Sequence, residues 1–373
     1  MNPRQFLALL ALLWLSAAAP RAHAAEGKLV SWGNNFFGAL NGIPAGVFSS
    51  VAAGAQHSVA IRPDGTLASW GSDYQRAVSD TPAGAFSAAG AGVAYSVAIR
   101  ADGTLAAWGD SMYGVLDPPR GVYSAVALGN YAGAAISTNG SIVWWGNTGG
   151  EVRPVPVGTF SAVASGGLHN VAIRTDGTLF SWGEDEYGVL TSTPSGTFAA
   201  IAAGGFHSAA IRTDGTLVSW GSDSYGQVSG TPTGTFVAVA AGAYHGVAIR
   251  TDGTIVCWGD NSRGQLNNAP AGVFFSVAAG DDHSVAIAKS PSEQIDYLIG
   301  LVHGMSIQTP VKNILVARLK ASRAMINARH ERAACALLQS FVSLVNSTIG
   351  RVNGPQSTQL IRVAVFTRTL LGC

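Results

Sequence analysis

FSSVAAGAQHSVAIRPDGTLASWG, residues 48–71, decides the fold. Val51 to Ala53 reads as a short strand ending at Gly54, Ser58 to Arg62 as a second and Thr66 to Trp70 as a third. Asp64-Gly65 stands between the last two, and such a pair predicts a tight primed hairpin turn, because Gly and Asp tolerate positive φ. The pattern recurs. Trp-Gly pairs fall at Trp32, Trp70, Trp108, Trp145, Trp182, Trp220 and Trp258, in steps of 38, 38, 37, 37, 38 and 38 residues. A period of this length marks one supersecondary unit copied along the chain. The last copy runs from Phe274 to Ile287 and lacks its Asp-Gly to Trp-Gly half, and Gly27 to Gly33 supplies that half near the other end. Complementary half-repeats suit a ring, in which the first strand pairs into the last sheet and removes both exposed edges. The sequence therefore predicts an all-β, seven-bladed β-propeller over residues 25–289, closed by its N-terminal strand, with the small Ala-Ala-Gly first strands crowded near the axis.

The run G-x-x-H-S-x-A-I, then D-G-x-L-x-x-W-G, then Asp260-Asn261-Ser262-Arg263-Gly264-Gln265-Leu266, resembles the repeats of the regulator of chromosome condensation family. The short repeats resemble the secreted bacterial branch that includes β-lactamase inhibitor protein II. The resemblance covers about residues 27 to 288. It implies a propeller that binds through its faces, and it names no partner, since one fold hosts many functions.

Composition narrows the class. Charged residues are 12% and glycines number 47, as expected of a turn-rich β structure. A net charge of +1 gives no reason to expect nucleic acid or an anionic membrane as partner. Residues 1–24 read as a signal peptide: Arg4, an apolar run from Phe6 to Ala19, then Ala22-His23-Ala24. The mature chain is expected to be secreted or periplasmic, monomeric and without a transmembrane segment. From Ser290 the periodicity turns helical, predicting an all-α module over 290–373 that resembles the FIMAH type. Its helices carry Ile295, Leu298, Ile299 and Val302; then Ile314 to Ile326 after a Thr309 cap and Pro310; then Cys335 to Ile349; then, after Pro355, Leu360 to Leu371. If the last two helices form an antiparallel hairpin, Cys335 and Cys373 share an end, and an exported chain favours their disulfide. Cys257 reads as a buried free thiol.

No Gly-x-Ser-x-Gly elbow, Walker loop, HExxH or Cys-x-x-Cys pair is present, and no catalytic residue, metal site or cofactor is expected. His57, His169, His207, His245 and His283 recur at one position, with Tyr95 and Ala132 in the other two blades. Neighbouring sheets stand about 10 Å apart, too far for shared zinc ligation at about 2 Å. A structural role within each turn is expected instead. Arg62, Arg100, Arg174, Arg212 and Arg250 precede the hairpin aspartates or equivalents by two residues, which suggests solvated ion pairs on that face. Function is sought where the repeat varies. The residue before the histidine position is Gln56, Ala94, Tyr131, Leu168, Phe206, Tyr244 and Asp282 in turn. Five residues past the tryptophans stand Phe37, Tyr113, Tyr187 and Tyr225. Both sets belong to the Trp-Gly face, with acidic neighbours, and aromatics there suit a protein-binding surface. Tyr131, Leu168, Phe206, Tyr244, Tyr113, Tyr187 and Tyr225 are the expected contact residues for a protein partner, in an enzyme-inhibitor-like or cell-surface role. The alternative is a secreted lyase or glycan hydrolase that uses the axial mouth.

Overall fold

The computed structural model describes residues 25–146, 156–348 and 354–373. The expected signal peptide and Ile349 lie outside the described residues. Two compact units are present. The first comprises the described residues up to Thr251, with Val256–Ala269 and Ser276–Ile287; the second is Asp252–Ile255, Pro270–Phe275 and Ala288–Cys373.

Among the described residues the strands form seven three-stranded antiparallel sheets. In the copy read above they are β2 (Ser50–Ala53), β3 (His57–Ile61) and β4 (Leu67–Gly71). His57 stands opposite Gly71 and Ser58 opposite Trp70, so the His turn and the Trp-Gly pair share one end. β1 (Leu29–Gly33) pairs with β21 (His283–Ala288) in the same register, Trp32 opposite Ser284 and Gly33 opposite His283. It occupies the place of the half-repeat that the last copy lacks.

The core lies between successive sheets. Val171 and Ile173 of one sheet meet Phe198, Ala210 and Trp220 of the next. Ala209 and Ile211 meet Phe236, Ala248 and Trp258 in the same way. The ends of all seven first strands line one narrow passage of about 90 Å³, Ala-Gly in five of them and Leu128-Gly129 and Ser165-Gly166 in the others. The glycines let the backbones converge there: a Cβ on Gly54 would stand 2.1 Å from the Gly92 carbonyl oxygen.

The hairpin differs from the expected primed turn. Gly65 takes a positive φ of 88° while Asp64 does not. The Gly65 amide donates to the Arg62 carbonyl at 2.8 Å, and the Arg62 amide to the Thr66 carbonyl. This is an ordinary turn over Pro63-Asp64 followed by a left-handed glycine. Asp64 serves through its side chain: its carboxylate accepts from the Thr66 amide at 2.9 Å and hydroxyl at 2.8 Å. Those two bonds hold the carboxyl below its ordinary range. The arginines also differ from expectation. Arg62, Arg212 and Arg250 lie over the rings of Phe48, Phe198 and Phe236 with the guanidinium carbon 4.9–5.2 Å from the centroid. An aromatic face and a backbone carbonyl, as in Arg212 to Ser195 at 2.9 Å, hold each in place of the hairpin aspartate.

The histidine ring is structural, but it ties sheets together instead of bracing single turns. His57, His169, His245 and His283 Nε2 lie 2.8, 2.7, 2.9 and 3.0 Å from the hydroxyls of Ser96, Ser208, Ser284 and Ser58, each on the next sheet. The last of these joins the seventh sheet to the first. Tyr95 substitutes by donating to the Gly129 and Ala132 carbonyls. Where Gly246 replaces the serine, His207 has no hydrogen-bond partner at either ring nitrogen. Ser208→Ala is expected to strand the His169 ring and cost about 1–3 kcal/mol in urea unfolding. An unchanged midpoint would deny these bonds a share in stability.

The second unit holds four helices, α1 (Pro291–Gly304), α2 (Thr309–Asn327), α3 (Glu331–Thr348) and α4 (Gly354–Leu371). Ser290 and Glu293 form a reciprocal capping box on α1. Gln308, not Thr309, is the N-cap of α2, with Pro310 in its first turn. Pro355 likewise lies inside the first turn of α4. Ile295, Leu298, Leu315, Leu319, Leu338, Phe341 and Leu360 form its core. A disulfide joins Cys335 to Cys373, with Cα atoms 6.4 Å apart. Cys257 is free, and burial pushes its thiol up to about 12. No described helix is long and apolar enough to cross a membrane.

Candidate functional site

Each Trp-Gly glycine has positive φ, and a Cβ on Gly71 would stand 2.7 Å from the Gln56 carbonyl oxygen. That close approach fixes the turn. Among the described residues, the one after the glycine then donates to the carbonyl of the residue before the histidine position, as Ser222 does to Phe206 and Asp260 to Tyr244, both at 2.9 Å. The backbone is thus tied down while the side chain at that position is left outward and free to vary.

The loop that follows crosses to the next sheet. The carbonyls of Ala77, Val115, Val189 and Gln227, each seven residues past one tryptophan, accept from the indole N–H of the next. A side chain five residues past a tryptophan therefore reaches the residue before the next histidine. Tyr113 meets Tyr131 with centroids 5.0 Å apart, Tyr187 meets Phe206 at 5.4 Å, and Tyr225 meets Tyr244 at 5.1 Å. Phe206 and Tyr244 stack at 5.5 Å and join the last two pairs into one four-ring arc. The two sets read separately from the sequence meet ring to ring in three pairs, two of them joined.

These rings pack and still face solvent. Tyr113, Tyr131, Leu168, Tyr187 and Tyr225 keep 38–55% of their surface exposed, while Phe206 and Tyr244 are half-buried. Tyr113 and Tyr187 also hold left-handed backbone, φ 60° and 65°. A non-glycine residue there costs about 1–3 kcal/mol, and such positions cluster where side-chain placement matters. Tyr113 and Tyr131 form a separate pair, and Leu168 has no ring partner among the described contacts.

Acidic groups flank the arc. Glu186 raises the Tyr187 hydroxyl by hydrogen bonding, and burial raises that of Tyr244, with Tyr225, Tyr187, Asp281 and Asp282 adding to it. At one end of the arc a depression of about 380 Å³ is lined by Tyr225, Tyr244, Phe37, Asp260, Arg263, Asp281 and Asp282, among others. Burial, with Asp282 beside it, pushes the Asp281 carboxyl up to about 6. Asp282 pairs with Arg263 at 3.5 Å. Asp281 and the highly exposed Phe36, which packs on Phe37 at 5.0 Å, were not singled out from the sequence. The doubled Phe36-Phe37 and Asp281-Asp282 were the available signals. Among the described residues no group of three His, Cys, Asp or Glu side chains is placed to hold a metal ion. The axial passage has one ionisable lining residue among those described, Asp281.

The model of the regulator of chromosome condensation (RCC1) repeat matches residues 48–75, 160–189, 198–227 and 236–265. No curated protein sequence matches the chain. Among solved structures it is similar to Prp20p from Saccharomyces cerevisiae, with a TM-score of 0.63 at 18% identity over 82% of this chain and 99% of that one. That structure is described with its binding to Gsp1p and histones. Human WBSCR16 is similar at a TM-score of 0.59 and 20% identity, over 71% of this chain and 99% of that one. The ectodomain of the Physcomitrella patens receptor kinase CR4 follows at 0.53 and 22%, over 62% and 68%. At such identities the likeness is one of fold. The chain carries RCC1 repeats and folds as a β-propeller with four helices after it.

Proposed function

We propose that this chain is an exported protein-recognition module: seven blades closed into a ring by the N-terminal strand, acting as a monomer with no chemistry of its own. The partner rests on the aromatic arc of the Trp-Gly face. One observation carries the reading: Tyr187, Phe206, Tyr244 and Tyr225 form a contiguous ring surface on fixed backbone, half open to solvent. Rigid aromatics of this kind lose little entropy on binding and bury much area, which is why they dominate interface energetics. Similar propellers described with protein partners support the class of function, and the inhibitor-like role stays within it. Residues 25–289 would form the propeller and 290–373 the helical module, following the removed leader.

Phe206→Ala with Tyr244→Ala is expected to leave the melting temperature within a few degrees and remove partner capture. The test is affinity capture from native culture medium with both proteins side by side, followed by mass spectrometry. Loss of two such anchors costs about 2 kcal/mol or more each, together about a thousandfold drop in affinity. Equal capture by the doubly substituted protein excludes this face.

A further inference from the structure

The depression at the end of the arc has a chemistry that the arc itself does not. It lies where residues 34–39 meet residues 260–263 and 281–283, so segments far apart in sequence build it. Tyr225 and Tyr244 belong to both the arc and its wall, which makes the two surfaces continuous. Phe37 stands opposite as a further aromatic wall, half exposed. The lining also holds Asp260, Asp281 and Asp282. Arg263 is the basic residue in the lining and is engaged by Asp282. Asp260 is held by the Ser262 hydroxyl at 2.8 Å and the Gln265 amide at 3.0 Å. For the exposed Asp281 carboxylate no hydrogen bond or ion pair is found among the described residues.

Charge over the wider face has the same sign. Glu184, Asp185, Glu186 and Asp223 border the arc, with no basic residue between Leu168 and Arg212 on its loops other than Arg174 at the opposite end of its strand. A partner meeting this face must complement excess negative charge beside aromatic rings. Carboxylates and aromatic rings lining one depression favour a cation, because ring faces and anions attract it together.

We propose that the partner held by the arc is a protein that inserts one cationic side chain, Lys or Arg, between Tyr225, Tyr244 and Phe37, where it meets the Asp281 carboxylate. This rests on the arc being the recognition surface and adds the chemistry of the group that the surface selects. The stem of Lys or Arg lies along the rings while its head reaches the carboxylate, which suits a lining that mixes aromatic rings and carboxylates. A Glu or Asp at the same place would bring a second anion to an anionic lining, so the depression also rejects the opposite charge.

The test uses the full chain and three short probes: acetyl-Phe-Lys-Phe-amide and its norleucine and glutamate counterparts, titrated at low salt with tyrosine and amide resonances as readout. The Lys probe is expected to bind at least about tenfold more tightly than the norleucine probe, as a desolvated cation–aromatic contact with a carboxylate would give. The glutamate probe should be the weakest. Asp281→Asn keeps the side-chain shape and should bring the Lys and norleucine affinities together without weakening the norleucine probe. Phe206→Ala should weaken both in parallel, since it touches the arc and not the depression. Equal binding of Lys and norleucine probes to the unsubstituted protein overturns the proposal, as does a preference that survives Asp281→Asn. Butylammonium binding as tightly as the Lys peptide would assign the depression to a free amine and overturn the protein occupant. If no probe binds the unsubstituted protein, the cation site is excluded. The arc is then judged by the capture result with Phe206→Ala and Tyr244→Ala alone.

Discussion

Lowering the pH from 6.5 toward 4 is expected to unfold the repeat unit in one cooperative transition. Burial pulls the folded pKa of His57, His169, His207 and His283 down to about 4, and that of His245 to about 3. In the unfolded chain each returns to about 6.5. Between these values the unfolded state binds more protons than the folded one, so stability falls as pH falls through that window. Each histidine withdraws roughly 3 kcal/mol over the window. Five together approach the ~5–15 kcal/mol that holds a typical domain folded. Asp281, raised to about 6, acts in the opposite direction for a single proton. The exposed turn aspartates Asp64, Asp102, Asp176 and Asp214 are held low by neighbouring threonines and add to acid sensitivity below about pH 4. Urea unfolding at half-unit pH steps measures this directly. The slope should reach several protons taken up per molecule unfolded near pH 5. A stability that is flat from pH 7 to 4.5 would mean that the imidazoles are not buried neutral between sheets.

Deleting residues up to Gly33 is expected to abolish the native fold of the repeat unit. Trp32 is buried, and its loss alone removes about 3–5 kcal/mol of packing. The deletion also exposes β21 as an unpaired edge along all five partners from His283 to Ile287. Circular dichroism and light scattering should show an aggregation-prone chain without the native transition. Because β1 acts as a separable strand, a synthetic peptide of residues 25–33 should bind the truncated chain and restore that transition. A truncated chain that melts like the full one would show that the N-terminal strand closes nothing.

The spacing of Trp32 to Trp258 and the two complementary half-repeats were enough to read the strands and the place of β1. Both follow from periodicity within the chain, which needs no knowledge of what lies across a gap. The misread histidines and arginines concern partners across such gaps. The histidines were expected to bond within their own turns, yet their serines lie 39 residues on, on the next sheet. The arginines were paired with aspartates two residues away, but a phenylalanine 14 residues earlier offers its ring, as Phe48 does to Arg62. At the recognition face Tyr187 and Phe206 were each visible as departures from the repeat. That they touch depends on the loop after Trp182 landing on the sheet of Trp220, which the Val189 carbonyl shows and the spacing alone does not. The acidic depression was the least legible, since Phe37 and Asp281 line it together from positions far apart in sequence.

Amide hydrogen exchange of the full chain, free and with its captured partner bound, tests most directly whether the Trp-Gly face is where recognition occurs. The expected result is slowed exchange at 184–190, 204–207, 222–228 and 242–245, with the Asp-Gly hairpins at 62–66, 174–178 and 212–216 unchanged. Protection confined to those hairpins, or to the four helices, would place recognition elsewhere and contradict the assignment.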